Sequence, residues 1–289
     1  MDECKLRRYY LENMGGWDKP SSSIKLDENE VPVKVNDNGM NGYSPVDVGN
    51  YALWNWNKLL DSKPGFYDDT YQRAFISNAD WFVRHIKKDG SWKYYYDNVR
   101  YKLKAPWVGA LAQGFALSTL TRAYELTKNE KYLDAARSGY KPFTLHISDG
   151  GVMCGDADGG VWYEEYAVLP APRILNGFMS ALLGLYDLAY VTEDDNVLKS
   201  FNNGMKTLSR NLYRYDLGYW SLYNLIHEHP ATYRYHHVHV QQLNALFKIT
   251  NGEIVGEYAR KWQGYLDNKY CVFKAKMVRN IVHVKRRIK

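Results

Sequence analysis

The most chemically suggestive stretch of the sequence is Trp162-Tyr163-Glu164-Glu165-Tyr166. Neighbouring carboxylates in an aromatic setting raise each other's pKa through desolvation and like-charge repulsion, which suits one of them to act as a general base. The same residues could instead cap and pack a loop-to-helix junction, because a proline-containing turn and an apolar helical segment follow them. The choice depends on what else the fold brings to this stretch.

Two later motifs carry further titratable groups. "GYWSLYNLIHEHP" contains Tyr223 and His227, and "YRYHHVHVQQL" contains Arg234, Tyr235, His236, His237 and His239. Three histidines within four residues invite a metal, but no nearby Asp, Glu or Cys completes a ligand set, and helical spacing would distribute the rings around the axis. We therefore predict no metal and no cofactor, and we expect the histidines to be hydrogen-bonded.

A site with one glutamate and several tyrosines can move protons at carbon. Tyrosine has a pKa near ~10 in water, yet in a desolvated site beside cationic groups it can deliver or take a proton. A Glu on one side of a substrate and a Tyr on the other is the equipment for removing a proton α to a carboxylate and returning one. Uronic acids carry such a proton at C5.

Composition narrows the class of protein. The chain has 289 residues, 45% hydrophobic and 24% charged, enough for one large core. No run of about 18 apolar residues appears and the start lacks a secretion signal, so we expect a cytoplasmic protein. Three distant cysteines indicate neither a disulfide framework nor a zinc site. The 26 Tyr and 9 Trp suit the C–H faces and hydroxyls of sugars.

The net charge of +6 is concentrated at one end of the chain. Residues 269–289 hold eight of the 38 Lys and Arg and no acid, which leaves 30 basic against 32 acidic residues in 1–268. The body is therefore close to neutral, and binding to nucleic acid loses its main support.

The hydrophobic pattern predicts a mainly all-α protein. Amphipathic windows fall at about 46–60, 69–87, 107–127, 130–142, 173–191, 195–213, 237–250 and 253–267. Consecutive antiparallel pairs of such helices indicate an α/α toroid or barrel, complete or incomplete, with short β-hairpins or turns in the loops at 89–92 and 216–220. The loops at one end would form the cleft.

Both ends of the chain differ from this body. Residues 1–42 are polar and turn-rich and predict an extended arm, with a strand at 31–35, packed on the barrel of residues 43–268. In the basic tail, 269–289, apolar residues recur at helical spacing: Phe273, Met277, Ile281, Val284 and Ile288. That pattern fits a helix on an anionic membrane surface or a last helix docked on the body. A homodimer is a further expectation.

Several segments resemble one known family. "WYEEYAVLPAPRILNGFMSALLGLYDL" closely resembles the corresponding run of the D-glucuronyl C5-epimerases, which convert glucuronate to iduronate in heparosan and related glycans. Similar matches are "GYSPVDVGNYAL", "ADWFVRHIKKDGSW", "ALAQGFALSTLTRAYELT", "YNLIH" and "YHHVHVQQL". Together they cover most of residues 42–266, so the resemblance is specific.

This resemblance implies an α/α-barrel catalytic domain, no metal in the chemistry, and epimerisation by two proton-transferring groups on a glucuronate-containing glycan. The residues that would form the reaction centre are Glu165, Tyr166, Tyr223 and Tyr235, with Glu165 and Tyr235 moving the protons. The residues expected to contact substrate are Tyr43, Tyr51, Gln113, Asn176, His227, Arg234, His236 and His239.

The chain departs from the family in two places. The animal enzymes carry a β-rich insertion where this chain has only "LLDSKPGFYDD", so it lacks their β-domain. The family's "YDLRH" is "YNLIH" here, so Ile226 stands where an arginine near the anionic groups of the substrate is expected. Arg234 could supply a charge from another position.

Two other functions compete with epimerisation. A polysaccharide lyase on a similar toroid shares the first step and then expels the C4 oxygen, and a glycoside hydrolase needs two carboxylates across the cleft. A non-catalytic glycan-binding homologue is the third interpretation. Formation of an unsaturated product, of new reducing ends, or of neither would distinguish them.

Overall fold

Helices make up most of the computed structural model, which describes residues 8–10, 24–35, 41–61, 69–156, 159–226 and 229–288. Their bounds are α1 Pro45–Asp61, α2 Asp69–His85, α3 Ala110–Thr127, α4 Glu130–Gly139, α5 Leu175–Thr192, α6 Asp195–Asn211, α7 Tyr233–Thr250, α8 Glu253–Asp267 and α9 Lys269–Ile288. Among these residues no helix is both long enough and apolar enough to cross a bilayer.

The helices pack as consecutive pairs: α1 with α2, α3 with α4, α5 with α6, and α7 with α8. The odd-numbered members also pack on one another in the order α1, α3, α5, α7, and form the inner row. α3 and α5 are buried along nearly their whole lengths. Their backbones touch where Gly114 faces Gly184, since a Cβ on Gly184 would lie 2.4 Å from the Gly114 oxygen. The predicted all-α toroid is confirmed.

Most predicted helices are present, with shifted ends. α3 begins at 110 and not 107, because the backbone of Trp107 pairs with that of Tyr94. α7 begins at 233, four residues before the predicted start, because the Thr232 hydroxyl accepts a hydrogen bond from the Tyr235 N–H at 3.0 Å. Asn251 has a side chain typical of helix N-caps, but it does not cap α8: it ends α7 in the left-handed region, with φ 51°, and Gly252 precedes α8.

The short strands lie outside the helical rows. β1 Ile24–Leu26, β2 Pro32–Val35 and β3 Asn41–Tyr43 form an antiparallel sheet, and β4 Met153–Gly155 pairs with β5 Val161–Tyr163. β2 confirms the predicted strand. β3 crosses the predicted boundary at residue 42 and leads directly into α1.

The described part of the N-terminal arm is held on the helices. Tyr9 is 1% exposed, and its N–H donates to the Asn57 Oδ1 at 2.7 Å. The two predicted turns between helices are also present: Gly90, with φ 81°, lies in the first, and Gly218, with φ 77°, in the second. Both glycines occupy backbone conformations that residues with a Cβ rarely adopt.

A buried ion pair connects the two central helices. Arg122 on α3 lies 2.5 Å from Asp187 on α5, and both side chains are at most 1% exposed. The Ser118 hydroxyl donates to the same carboxylate at 2.6 Å, and the Tyr10 hydroxyl donates to its other oxygen at 3.1 Å. The carboxylate therefore organises a polar network inside an apolar core.

Removing one partner of this pair should strongly destabilise the fold. We expect Asp187→Ala to lower the free energy of unfolding by about 3–5 kcal/mol, because Arg122 would be left as a buried, unpaired charge. Urea denaturation followed by circular dichroism measures the change. The control is Asp134→Ala, which breaks an exposed ion pair with Arg137 and should cost less than about 1 kcal/mol. Equal losses in the two variants would contradict the role of the network.

Candidate active site

Four tyrosines line a cavity of about 280 Å³. This volume is slightly smaller than that of typical small-molecule sites, which span about 300–1,000 Å³. Three of the tyrosines are the predicted Tyr166, Tyr223 and Tyr235, and the fourth is Tyr101. We call this space the tyrosine cavity; its lining residues are Asn98, Arg100, Tyr101, Tyr166, Tyr223, His229, Thr232, Tyr235 and Arg279.

Separate elements bring these tyrosines together. Tyr166 lies just after β5, and Tyr223 is held on α5 because its carbonyl accepts the Leu175 N–H at 3.2 Å. Tyr235 lies in the first turn of α7. The Tyr223 and Tyr235 rings are 4.7 Å apart at 53°, and the Tyr101 ring stacks on that of Tyr166 at 4.0 Å. The phenol hydroxyls thus share one small volume.

Glu165 lies next to Tyr166, whose hydroxyl is hydrogen-bonded to its carboxyl group, and is only 6% exposed. The Asn176 amide lies 3.5 Å from its Oε2. Burial raises the pKa of Glu165 to about 7, while the Tyr166 hydroxyl, as a hydrogen-bond donor, opposes the shift. A carboxyl group with this pKa is divided between acid and base at neutral pH, which is the condition for general acid–base catalysis.

Gly177 on α5 makes room for the Glu165 side chain. A Cβ at this position would lie 2.3 Å from the Glu165 Oε2 and 2.5 Å from its Cβ. Such distances are far inside van der Waals contact, so any larger residue must push Glu165 away. The sequence did not reveal this dependence, because a glycine inside a helix has several explanations.

Gly177→Ala should therefore lower kcat even in protein that is fully folded. We expect kcat to fall by about 100-fold, because misplacing a reacting group by about 1 Å has effects of this size. Steady-state kinetics measures the fall. The matched control is Gly264→Ala in α8, where a Cβ meets nothing within 4 Å, and kcat should not change. Wild-type kcat in Gly177→Ala would show that the position of Glu165 is unimportant.

Glu164 has a different environment from Glu165. Its carboxylate, 0% exposed, accepts the Arg173 guanidinium at 2.8 Å and the Arg173 N–H at 3.1 Å. The Arg173 carbonyl in turn accepts the Tyr215 hydroxyl at 2.7 Å. Burial raises the pKa of Glu164 to about 7, and Arg173 opposes that shift. The two adjacent carboxylates therefore have different roles. Glu164 stabilises the turn before α5, and Glu165 faces the phenols.

The phenols around the cavity are acids and not bases at neutral pH. Burial, and next the negative charge of Glu165, raise the pKa of Tyr223 far above its usual value. Burial and Glu165 likewise raise the pKa of Tyr166 and of Tyr235. Each hydroxyl keeps its proton and can donate it.

Two predicted substrate residues lie beside the reaction centre. Asn176 contacts Glu165, as described, and its carbonyl accepts the Gln242 amide at 2.9 Å. Arg234 is exposed in the first turn of α7, and its charge lowers the pKa of Tyr235 against the larger effect of burial. Neither belongs to the cavity wall itself.

Gln113, His236 and His239 lie in the interior. Gln113 accepts the Trp92 N–H at 2.8 Å and donates to the Gly139 carbonyl at 3.0 Å. The Nδ1 atoms of His236 and His239 share the Ser221 hydroxyl at 2.7 and 2.8 Å. Hydrogen-bonded histidines were predicted and are confirmed. The structure brings none of the three residues to the cavity.

The remaining predicted residues are elsewhere. The Tyr43 hydroxyl donates to Asp27 at 2.7 Å, and the ring packs on Trp81 at 5.6 Å. Tyr51 stacks on Trp54 at 5.9 Å. Neither tyrosine lines the cavity, and His227 falls outside the residues that the structure describes. No group of three or more His, Cys, Asp or Glu in the described ranges is arranged to hold a metal.

Six wall residues were missed from the sequence: Asn98, Arg100, Tyr101, His229, Thr232 and Arg279. Arg100 and Tyr101 belong to a three-residue 310 helix that no periodicity indicates. Arg279 comes from α9, in the tail that was treated as separate from the barrel. The only available signal was the absence of acidic residues around Arg279, which leaves it no local partner.

Comparisons with known proteins show the family of this chain. The model of the family described as "D-glucuronyl C5-epimerase C-terminus" matches residues 86–264. D-glucuronyl C5-epimerase of Caenorhabditis elegans is 34% identical over 223 residues, which is 70% of this chain but 36% of that relative. An uncharacterized protein of Methanocaldococcus jannaschii is 33% identical over 225 residues, or 73% of each chain. This chain therefore spans about a third of the length of the C. elegans enzyme.

Solved structures share the fold. A D-mannose isomerase superposes with a TM-score of 0.57 at 15% identity, covering 83% of this chain and 64% of that one. The cellobiose 2-epimerase of Bacillus thermoamylovorans gives a TM-score of 0.55 at 13% identity, with 85% and 67% covered. At such low identities the likeness concerns the α/α toroid alone. The family match and the two sequence relatives show that this chain belongs to the D-glucuronyl C5-epimerase family, a family of isomerases that act on carbohydrates.

Proposed function

We propose that the chain is a uronyl C5-epimerase, which converts D-glucuronate residues of a polysaccharide or oligosaccharide to L-iduronate. The observation that carries the proposal is the pairing of one buried carboxyl group, with a pKa of about 7, with protonated phenols around a single cavity. Family membership supports the same reaction. No metal or cofactor is needed for it.

The reaction would proceed by loss and return of a proton at C5. The C5–H bond breaks, Glu165 accepts the proton, and the bonding electrons move into the uronate carboxylate to give an enolate-like intermediate. Tyr235 then donates its hydroxyl proton to C5 from the opposite face, which inverts the centre. Glu165 and Tyr235 return to their starting states by proton exchange with solvent, so the new C5 hydrogen comes from water.

Tyr166 and Tyr223 would support this transfer. The Tyr166 hydroxyl orients the Glu165 carboxylate, and the Tyr223 ring packs against Tyr235 and fixes its direction. Both hydroxyls are protonated and can donate to the negative charge that develops on the uronate carboxylate, and donors placed before the reaction stabilise such charge most effectively.

The site favours epimerisation over hydrolysis. A hydrolase needs two carboxyl groups across the scissile bond. Among the described residues the tyrosine cavity has no carboxylate in its wall, and Glu165 lies next to it, beside Tyr166. Glu164 is bound to Arg173. A lyase would use the same base and then expel the C4 oxygen, and a binding homologue would perform neither step.

Product analysis separates these functions. Purified protein is incubated with heparosan, and the products are depolymerised chemically and quantified as glucuronate and iduronate. Iduronate in polymer of unchanged length supports the proposal. An ultraviolet-absorbing unsaturated product would indicate a lyase, and new reducing ends without it a hydrolase. If the protein bound a panel of glucuronate glycans but converted none of them, the result would favour a non-catalytic homologue.

The proposal also predicts the pH dependence of the rate. Glu165 must be deprotonated to accept the C5 proton, so kcat/KM should rise about tenfold per pH unit below pH 7 and level off above the pKa of about 7. No decline is expected between pH 8 and about 10, because the tyrosine pKa values are raised and the phenols stay protonated. Initial rates across this range test it, and a rate that falls steadily from pH 6 to pH 8 would contradict it.

A further inference from the structure

Two arginines face the tyrosine cavity although their positions are 179 residues apart. Arg100 belongs to the 310 helix Val99–Tyr101, and Arg279 belongs to α9. Both are lining residues. The Arg279 guanidinium donates to the Pro230 carbonyl at 3.1 Å, which directs it toward the segment before α7. α9 begins after the region matched by the family model ends, so this contribution belongs to the chain's own tail.

No carboxylate among the described residues forms an ion pair with either arginine of this pair. Burial and the nearby charge of Arg100 lower the pKa of Arg279. Arg100 is exposed and Arg279 is partly buried, so both guanidinium groups can reach an anion at the mouth of the cavity, and an anion between two like charges relieves their repulsion. The site is therefore built for a negatively charged ligand.

The pair also lies beside the proposed acid. The charge of Arg100 is felt at Tyr235, where it lowers the pKa of the phenol against the effect of burial. In a uronate the carboxylate is bonded to C5, the atom that Tyr235 would protonate. A cation next to Tyr235 is therefore where the carboxylate of a uronate must lie. Ile226, which stands where an arginine was expected, is 43% exposed and supplies no charge.

We propose that Arg100 and Arg279 bind the carboxylate of the reacting uronate, with Arg279 supplied by the C-terminal helix. This assignment rests on the proposed function, because it takes Tyr235 as the proton donor at C5. Arginine suits the task, since its planar guanidinium can form two parallel hydrogen bonds with a carboxylate. The same cations would stabilise the extra negative charge of the enolate-like intermediate.

A binding experiment tests the pair separately from turnover. Affinities are measured by calorimetry in the Glu165→Gln background, for a heparosan oligosaccharide and for the same oligosaccharide with its carboxyl groups reduced to alcohols. Arg279→Gln should weaken binding of the carboxylate form by about 10- to 100-fold, the effect of a charge-assisted hydrogen bond, and leave binding of the reduced form unchanged. Arg279→Lys should recover part of the loss.

Arg260→Gln is the matched control, because Arg260 is exposed on α8 and remote from the cavity wall; its affinities should equal those of the background. Thermal unfolding confirms that each variant is folded. Unchanged affinity in Arg279→Gln, with wild-type protein forming iduronate, would overturn the inference and leave the function standing. If binding depended on the carboxylate and on Arg279 but no epimerisation occurred, the inference would stand and the proposed function would be overturned.

The outward face of α9 is a separate feature. Tyr270, Phe273, Met277 and Ile281 are 46–67% exposed and recur at three- and four-residue steps. Ala275, on the opposite face, is 2% exposed and packs against the body. The exposed stripe therefore has no partner among the described residues. Exposed lysines at 269 and 276 flank it, the Lys274 ammonium lies over the Tyr219 ring at 4.2 Å, and the sequence from 269 to 289 contains no acid.

We also infer that this face of α9 binds an anionic lipid surface. An apolar stripe bordered by lysines, with no acidic residue, is the pattern of a helix lying in the interface of a negatively charged membrane. An anionic glycan would match the charge but would leave four large apolar side chains in water. A second copy of this chain would bring basic residues against basic residues.

Vesicle co-sedimentation of the full chain tests the lipid assignment. The protein should bind vesicles of equal parts phosphatidylcholine and phosphatidylserine, and bind phosphatidylcholine vesicles far less. The triple variant Phe273→Ser, Met277→Ser, Ile281→Ser should lower the bound fraction at least about tenfold, and the control Leu198→Ser on α6 should not. Undiminished vesicle binding by the triple variant would overturn the inference. So would a wild-type dimer that the substitutions dissociate while vesicle binding stays the same, because the stripe would then be a dimer interface.

Discussion

Glu165→Gln should lower kcat by about 10²- to 10⁴-fold on a glucuronate glycan, the contribution of a positioned general base. Glutamine has nearly the same shape and fills the space beside Gly177 and Asn176, but its amide cannot accept a proton. The fold should remain intact. Because burial raises the pKa of Glu165, its ionisation weakens the folded state as pH rises through about 7. The uncharged variant should therefore be at least as stable as wild type at pH 8.

The neighbouring carboxylate provides the contrast. Glu164→Gln breaks the ion pair with Arg173 and should lower the melting temperature, while kcat of the folded protein changes much less than in Glu165→Gln. Kinetics and thermal denaturation of both variants measure the two effects. The assignment of the base would be wrong if Glu165→Gln retained near-wild-type kcat. It would also be wrong if Glu164→Gln lowered kcat strongly while its melting temperature stayed at the wild-type value.

Tyr235→Phe should lower the rate of iduronate formation by about 10²- to 10³-fold, because the variant has no acid to deliver a proton on the second face. Phenylalanine keeps the ring that packs against Tyr223, so loss of the hydroxyl should leave the fold of α7 intact. Glu165 still removes and returns the C5 proton in this variant. In deuterated water, glucuronate should therefore exchange its C5 hydrogen without inverting.

This partial reaction distinguishes an acid from a structural residue. Tyr213→Phe serves as the control, because Tyr213 is 66% exposed and lies outside the cavity wall; it should epimerise at the wild-type rate. If Tyr235→Phe lost exchange and inversion together, Tyr235 would be needed for the first proton transfer or for binding. Inversion at the wild-type rate would exclude it as the acid.

Helical periodicity predicted the fold because most of the chain consists of amphipathic helices with short connections. Where the prediction missed, single contacts decided the ends. Thr232 caps α7, so this helix begins earlier than the apolar pattern indicates. The backbone of Trp107 pairs with that of Tyr94, so α3 begins later than predicted. Such contacts join residues that a sequence window cannot connect, so helix identity was predictable and helix ends were not.

Some residues of the candidate site could likewise be predicted from the sequence, and others could not. Glu165, Tyr166, Tyr223 and Tyr235 were predicted and are brought together, because they lie in motifs with recognisable chemistry. Gln113, His236 and His239 have equally suitable side chains, but burial gives them interior hydrogen bonds. Residue type alone does not distinguish these cases. Arg279 was missed because only the packing of α9 on the body brings it to the cavity.

The proposed reaction requires exchange of the C5 hydrogen with solvent, which deuterium incorporation detects. Wild-type protein is incubated with heparosan in deuterated water, and proton NMR follows the C5 position. The account predicts that the C5 signal of glucuronate disappears while iduronate appears with deuterium at C5, and that Glu165→Gln shows neither change. Iduronate that keeps its original C5 hydrogen, or a Glu165→Gln variant that exchanges at the wild-type rate, would contradict the account.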